Sequence, residues 1–173
     1  MKNRTRLLAY QQELTERLRA SASAPIATSL LGVQVADDGW LIDLRDAGEI
    51  LSPPPLVPTP LTRPWLLGMA NVRSAFFGIV DFARFCGHDA TPITAQSRVV
   101  LGGSRLGLPF GLLVSRIVGL KRPEQLEQLE RRSGQADGVP WIVAEYRDVA
   151  GRPWKRLDMP GLALHAEFRR AAL

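Results

Sequence analysis

The chain contains little of the side-chain chemistry on which most enzymes and metal sites depend. Its 173 residues include one cysteine, Cys86, and two histidines, His88 and His165. A single cysteine excludes an internal disulfide and leaves too few soft ligands for an ordinary structural zinc site. His165 and Glu167 are two positions apart, so they do not share a helix face as a pair of metal ligands would. We therefore expect no metal, no cofactor and no catalytic residue.

Long apolar runs are also missing. No run approaches the ~20 residues that a membrane-spanning helix needs, and charged residues recur through residues 1–20, unlike in a secretory signal. Hydrophobic residues nevertheless make up 46% of the chain, which is enough to form a buried core. The sequence predicts a soluble, cytoplasmic protein.

Positive charge is present but dispersed. The net charge is +5 and the sequence pI is near 10.1, a balance that can favour nucleic acid. The clearest basic clusters, at 131–132 and 168–170, fall at the ends of predicted helices, where they complement the helix dipole. Small β-barrels can stack bases on aromatic side chains, but most aromatics here lie within apolar runs. A nucleic-acid-binding β-barrel is kept as the alternative to a protein-binding function.

The first 24 residues predict a helical extension and a linker. Leu7, Leu14 and Leu18 recur near helical spacing over residues 5–20. The following SASAP ends the helix, because small residues and a proline favour a linker. We expect the extension to be dispensable for folding of the remaining chain.

Short β-runs separated by glycine and proline turns fill the rest of the sequence. SLLGVQV and WLIDL form a hairpin around an Asp-Gly turn, GEIL precedes three prolines, and LGMANV and FFGIVDF are adjacent strands. Asp81 then caps a helical turn. Further strands follow residue 97, with helices predicted over 123–132 and about 160–172. This pattern favours small β-barrels over a sandwich of long strands.

Two charged residues stand inside apolar runs. Glu49 interrupts GEIL, and Arg73 lies between LLGMA and AFFGIV. A charge beside apolar strands is costly unless it is paired. We therefore expect Arg73 to pair with Glu49, which a guanidinium can hold through two parallel hydrogen bonds. Breaking such a pair can cost ~3–5 kcal/mol where it is buried. The alternative for both residues is exposure at the surface.

Cys86 is two residues before His88, a spacing that superficially suggests a nucleophile and its base. An enzyme of that kind needs a thiol with a depressed pKa. Adjacency in sequence is weak evidence for such a pair, and a small buried thiol is the favoured interpretation.

The stretch from GEI through WLLGMANVRSAFFGIVDF resembles the CheW family of chemotaxis coupling proteins. That family has Glu-Ile after the first hairpin, a proline-containing loop, and Gly-x-x-Asn-x-Arg-Gly before a strand that ends in Asp-Leu. The residues that match are Glu49, Ile50, Gly68, Asn71, Arg73 and Asp81. Ser74, Gly78 and Ser115 depart from the pattern. The N-terminal extension and the segments LLGMANVR and FGIVDFARF are most similar to the twitching-motility branch, the PilI-type proteins.

This resemblance implies a mainly β fold of two five-stranded SH3-like barrels that share a hydrophobic core, with N- and C-terminal helices. It implies a CheW-like domain over 25–173, with subdomains of about 25–90 and 91–160 and a C-terminal helix over about 160–172. It also implies a non-catalytic adaptor that couples the cytoplasmic tip of a methyl-accepting chemoreceptor to a CheA-type histidine kinase in the control of type IV pili. Membrane association would be indirect, through the receptor.

The resemblance places receptor contact around the Arg73 motif, where apolar side chains flank the charges. Buried apolar contacts at the centre of an interface often dominate binding. The predicted protein-binding residues are Ala47, Glu49, Ile50, Gly68, Met69, Asn71, Val72 and Arg73.

Overall fold

The structure of the protein is a computed structural model that describes residues 29–129 and 139–171. The helix and linker predicted over residues 1–24 lie outside these residues. Within the described ranges, the chain forms eleven strands and only short helices, which confirms a mainly β fold. The strands are β1 (Leu30–Val35), β2 (Asp38–Asp43), β3 (Ala47–Leu51), β4 (Leu66–Val72), β5 (Ala75–Asp81), β6 (Arg98–Gly102), β7 (Phe110–Val114), β8 (Arg116–Lys121), β9 (Leu126–Leu129), β10 (Ile142–Asp148) and β11 (Pro153–Leu157). The α-helices are α1 (Phe82–Phe85), α2 (Met159–Leu164) and α3 (Ala166–Arg169), and Ser104–Leu106 and Pro123–Gln125 are single 3₁₀ turns.

The strands form two sheets. One has six strands in the order β8-β1-β2-β11-β10-β9, and the other has five in the order β3-β6-β7-β5-β4. Neither sheet closes into a hydrogen-bonded barrel, since each retains two edge strands. Both sheets contain strands from both sequence ranges, 25–90 and 91–160, and the division into those two subdomains stays a prediction. Two pairings are parallel, β2 with β11 and β5 with β7.

The largest apolar cluster lies between the sheets. Trp40 of β2 packs edge-on against Phe82 of α1, with 5.0 Å between ring centroids. A second cluster fills the inner side of the five-stranded sheet and consists of Ala70, Ile79, Val99, Leu101 and Leu113. Leu51 of β3 and Val72 of β4 both pack against this second cluster. The sheet is therefore curled, because its two edge strands border one core.

The turn of the first hairpin differs from the prediction. Ala36 and Asp37 form the turn, Ala36 has a φ of 50°, and Asp38 already pairs with Val35. Gly39 lies within β2, where a Cβ would approach the Trp154 ring to 2.9 Å. This glycine is needed for packing against Trp154, not for the turn.

Two predicted helices are also different in the structure. The prediction of a helix over 123–132 was wrong for the described residues of that range. Only Pro123–Gln125 is helical there, and Leu126–Leu129 forms β9, which pairs antiparallel with β10. The closing helix is two shorter helices, α2 and α3, separated at His165, whose backbone is extended at φ −67° and ψ 135°. The break lets Phe168 pack in the core against Phe110, at 5.0 Å between ring centroids.

Candidate functional site

A tight turn joins β4 and β5. Arg73 and Ser74 are its two central residues, and their φ values of 49° and 66° are typical of a type I′ hairpin turn. The Asn71 side chain accepts a hydrogen bond from the Ser74 backbone N–H at 3.0 Å. This bond fixes a conformation that residues other than glycine seldom adopt, so Asn71 supports the turn that carries Arg73.

Arg73 pairs with Glu49, as expected from the sequence. One guanidinium nitrogen is 3.1 Å from the Glu49 carboxylate, and the structure shows a single hydrogen bond between them. The pair is exposed and not buried, since the Arg73 side chain is 81% exposed and that of Glu49 is 40% exposed. The cause lies in β3, where a bulge between Ala47 and Ile50 places Glu49 at the surface.

The Glu49–Arg73 pair has a distinctive position. Glu49 belongs to β3, and Arg73 directly follows β4. These two strands are the opposite edges of the curled five-stranded sheet. The pair bridges the gap between the two edges, which we call the seam. Leu51 and Val72 border the same gap on the inner side of the sheet, since both pack against the second apolar cluster.

The edge of β4 that does not pair with β5 is covered, at Met69, by the proline-rich loop that follows β3. Val57 and Met69 exchange two backbone hydrogen bonds, at 2.8 and 2.9 Å. Gly68 is buried beneath this contact with a φ of 141°, and a Cβ there would lie 2.5 Å from the Val57 carbonyl oxygen. Gly68 therefore allows the loop to approach β4.

Apolar side chains surround the seam on its outer side. Ala70 and Phe77 point into the second cluster, so strand alternation places Met69 and Phe76 on the opposite face. Phe76 is 60% exposed and lies opposite Asn71 in the hairpin. We define the docking face as Glu49, Ile50, Met69, Asn71, Arg73 and Phe76.

The structure separates the eight predicted binding residues into two groups. Five of them lie on the docking face. The other three are directed inward or lack a side chain: Ala47 packs against the core between the sheets, Val72 packs in the second cluster, and Gly68 is buried. Phe76 was absent from the predicted set, although the alternation of Phe76 with Phe77 in β5 was a signal that could have identified it.

The cysteine is not arranged for catalysis. Burial raises the pKa of the Cys86 thiol to about 12. His88 is directed to Asp38, with 3.6 Å between its Nε2 and the carboxylate. The enzyme hypothesis required a depressed thiol pKa, and the structure contradicts it. No group of residues suited to a metal ion occurs in 29–129 or 139–171.

Five of the basic side chains in the described residues are paired with aspartates. The paired cations are Arg45 and Arg156 with Asp43, Arg105 with Asp46, Lys121 with Asp148, and Lys155 with Asp38. Hydrogen bonds from the Arg45 side chain hold the pKa of the Asp43 carboxyl below its usual value. At these five positions an acidic side chain lies beside the basic one, which reduces the positive charge available to a nucleic acid there.

None of the helices in the described part of the chain is long and apolar enough to cross a membrane. The longest α-helix there, α2, has six residues.

Comparisons with known proteins agree with the resemblance in sequence. The family model described as CheW-like domain matches residues 29–167. Protein PilI of Pseudomonas aeruginosa is 27% identical over 163 residues, covering 91% of this chain and 87% of the relative. The crystal structure of the scaffolding protein TtCheW from Thermoanaerobacter tengcongensis superposes with a TM-score of 0.69 at 13% identity, covering 84% of this chain and 97% of that one.

Proposed function

Since the chain belongs to the CheW-like domain family, we propose that it is a non-catalytic adaptor that couples a methyl-accepting chemoreceptor to a CheA-type histidine kinase. The similarity to PilI over 91% of the chain supports a role in chemosensory control of type IV pili. The protein would act in the cytoplasm and be recruited to receptor arrays at the inner membrane.

The docking face is the observation that carries this proposal. Phe76 is 60% exposed although the next residue, Phe77, packs against the second cluster, and Ile50 is 39% exposed on the other side of the seam. An aromatic side chain on a rigid hairpin can bury a large area at low entropic cost, which is typical of residues that dominate protein interfaces. The Glu49–Arg73 pair lies between them and supplies polar groups that orient a partner.

We assign the receptor tip to this face. A helical partner presents apolar side chains at helical spacing, which suits apolar groups on both sides of a narrow polar bridge. Val57 adds a 67% exposed side chain beside Met69, so the proline-rich loop extends the same surface. The kinase would occupy a different surface, because an adaptor must hold both partners at once.

The test compares Phe76→Ser and Met69→Glu with the control Ile93→Ser. Ile93 is 65% exposed in the loop after α1. Neighbouring Thr91 bonds to Asp81, at the end of β5 away from the hairpin turn. We expect Phe76→Ser and Met69→Glu to weaken binding of a receptor cytoplasmic fragment at least tenfold, since interface hot spots each contribute ~2 kcal/mol or more. The Ile93→Ser variant should bind as the natural protein does.

Each variant is measured in pull-downs with the receptor fragment, with a CheA-type kinase, and with both together. Unchanged receptor binding by both docking-face variants would remove this face from the receptor contact. Absence of binding to either partner, combined with DNA or RNA binding that falls steeply with salt, would replace the adaptor with the nucleic-acid alternative.

A further inference from the structure

A pocket lies at the end of β4 opposite the Arg73 turn. Its volume is about 250 Å³, and its lining consists of Arg63, Trp65, Phe85, Glu167 and Arg170. Trp65 directly precedes β4 and Arg73 directly follows it. A strand of seven residues spans about 20 Å, so this pocket is separate from the docking face.

The floor of the pocket is aromatic and held in place by neighbouring rings. Trp65 stacks on Phe168, with 5° between the ring planes and 6.1 Å between centroids. Phe85 meets both rings edge-on, at 5.2 Å from each. Since Phe168 is 4% exposed and belongs to the main core, the floor is anchored to the interior of the protein.

The rim is held by backbone contacts. The Arg63 N–H donates to the Ala171 carbonyl at 2.7 Å, which fastens the end of α3 to the segment before β4. The Arg84 guanidinium donates to the Pro64 carbonyl at 3.1 Å. The Asp81 N–H donates to the Trp65 carbonyl at 2.8 Å. The pocket is therefore formed before any ligand arrives, which lowers the entropic cost of binding.

The charged groups of the rim are not neutralised by one another. Within residues 29–129 and 139–171, the side chains of Arg63 and Arg170 make no ion pair or hydrogen bond, and Glu167 makes no ion pair. The five lining residues carry two positive charges and one negative charge. A guanidinium binds a carboxylate through two parallel hydrogen bonds. Glu167 would disfavour a phosphate dianion but can accept a peptide N–H.

From this geometry we propose that the pocket binds a peptide segment of a partner protein in which a carboxylate side chain adjoins an aromatic one. The aromatic ring lies on the Trp65–Phe85 floor, and the carboxylate is held by Arg63 and Arg170. Glu167 accepts a backbone N–H of the same segment. None of these groups belongs to the docking face, so the proposal does not depend on the receptor contact proposed above.

The experiment titrates the isotope-labelled full chain with the peptide acetyl-Gly-Phe-Glu-Gly-amide while the tryptophan indole N–H signals are followed by NMR. The control peptide acetyl-Gly-Phe-Gln-Gly-amide has the same shape without the charge. We expect saturable shifts of the Trp65 indole with the glutamate peptide, and at least tenfold weaker binding of the glutamine peptide, because a hydrogen bond to a charged group is much stronger than a neutral one.

Two protein variants test whether Arg63 and Arg170 bind the carboxylate of the peptide. Arg63→Gln and Arg170→Gln should each weaken binding of the glutamate peptide at least tenfold. Arg169→Gln, one position earlier in the chain and outside the pocket lining, should bind it unchanged. Arg63 and Arg170 are exposed, so the variants should fold, which the dispersion of the remaining amide signals checks.

Three results would overturn the proposal. The Trp65 indole signal does not shift at millimolar peptide, the two peptides bind with equal affinity, or Arg169→Gln loses as much affinity for the glutamate peptide as Arg63→Gln and Arg170→Gln do. Inorganic phosphate that shifts the Trp65 indole at lower concentration than the peptide would assign the pocket to a phosphate ligand and would also overturn it. A negative result here leaves the proposed adaptor function intact, because that function is tested with Phe76 and Met69.

Discussion

Replacing Gly68 with alanine should destabilise the protein through backbone strain and through one close contact with the proline-rich loop. The added Cβ would lie 2.5 Å from the Val57 carbonyl oxygen, and the backbone φ of 141° is a conformation that alanine rarely adopts. The backbone strain alone costs about 1–3 kcal/mol. Displacing Val57 also breaks its two hydrogen bonds with Met69, each contributing about 0.5–1.5 kcal/mol. The free energy of unfolding should therefore fall by about 2–6 kcal/mol.

Gly119 provides a matched control for the backbone strain. Its φ is 134°, close to that of Gly68, but a Cβ there would meet nothing within 4 Å. Gly119→Ala should therefore cost only the strain, about 1–3 kcal/mol. Urea unfolding of the two variants measures the difference, and each kcal/mol should lower the melting temperature by roughly 2–4 °C in a chain of this length. Equal losses in the two variants would show that contact of the loop with β4 contributes nothing to stability.

Three further outcomes follow from the ionisable groups. In a double-mutant cycle measured by urea unfolding, Glu49→Ala and Arg73→Ala should show a coupling free energy below about 1 kcal/mol that declines with salt, because the pair is exposed. A coupling free energy of about 3 kcal/mol would contradict the observed exposure. The pKa of Asp43 is lowered in the folded state, so its stabilising contribution is complete above the unfolded value of about 3.8 and is lost as pH falls through the folded pKa. Asp43→Asn should thus be less stable at pH 7 and lose less stability between pH 5 and pH 2; parallel pH profiles would refute this. Cys86, with a pKa of about 12, should react slowly with iodoacetamide at pH 8 until urea unfolds the protein, and rapid alkylation of the native chain would contradict its burial.

Most strands were predictable because their local signals agree with their final environment. LLGVQV and DGWLID are β-prone runs joined by a short turn, and they become β1 and β2, whose residues are mostly buried. Asp81 was also identified correctly as a helix cap: its side chain accepts the Arg84 N–H at 3.4 Å. It additionally accepts bonds from Thr91, which no local pattern indicates because the two residues are ten positions apart.

The errors occurred where distant pairing overrides local preference. Leu126–Leu129 consists of good helix formers, but it becomes β9 because β10 offers an unpaired edge. The charges in GEIL and MANVR predicted the pairing of Glu49 with Arg73, since their chemistry is complementary. The sequence could not decide between burial and exposure of this pair, because its exposure depends on a bulge in β3 that only the register with β6 defines.

The parallel pairing of β2 with β11 has a consequence for synthesis of the chain. Trp40 is aligned with Lys155, 115 residues later, so the hairpin of β1 and β2 lacks this neighbour until those 115 residues have been made. At ordinary ribosomal rates that interval lasts roughly 6–23 s. During this time the apolar side chains of Trp40 and Ile42 on one face of β2, and of Leu41 on the other, must remain accessible without aggregating. The emerging chain should therefore depend on chaperones until β11 leaves the ribosome.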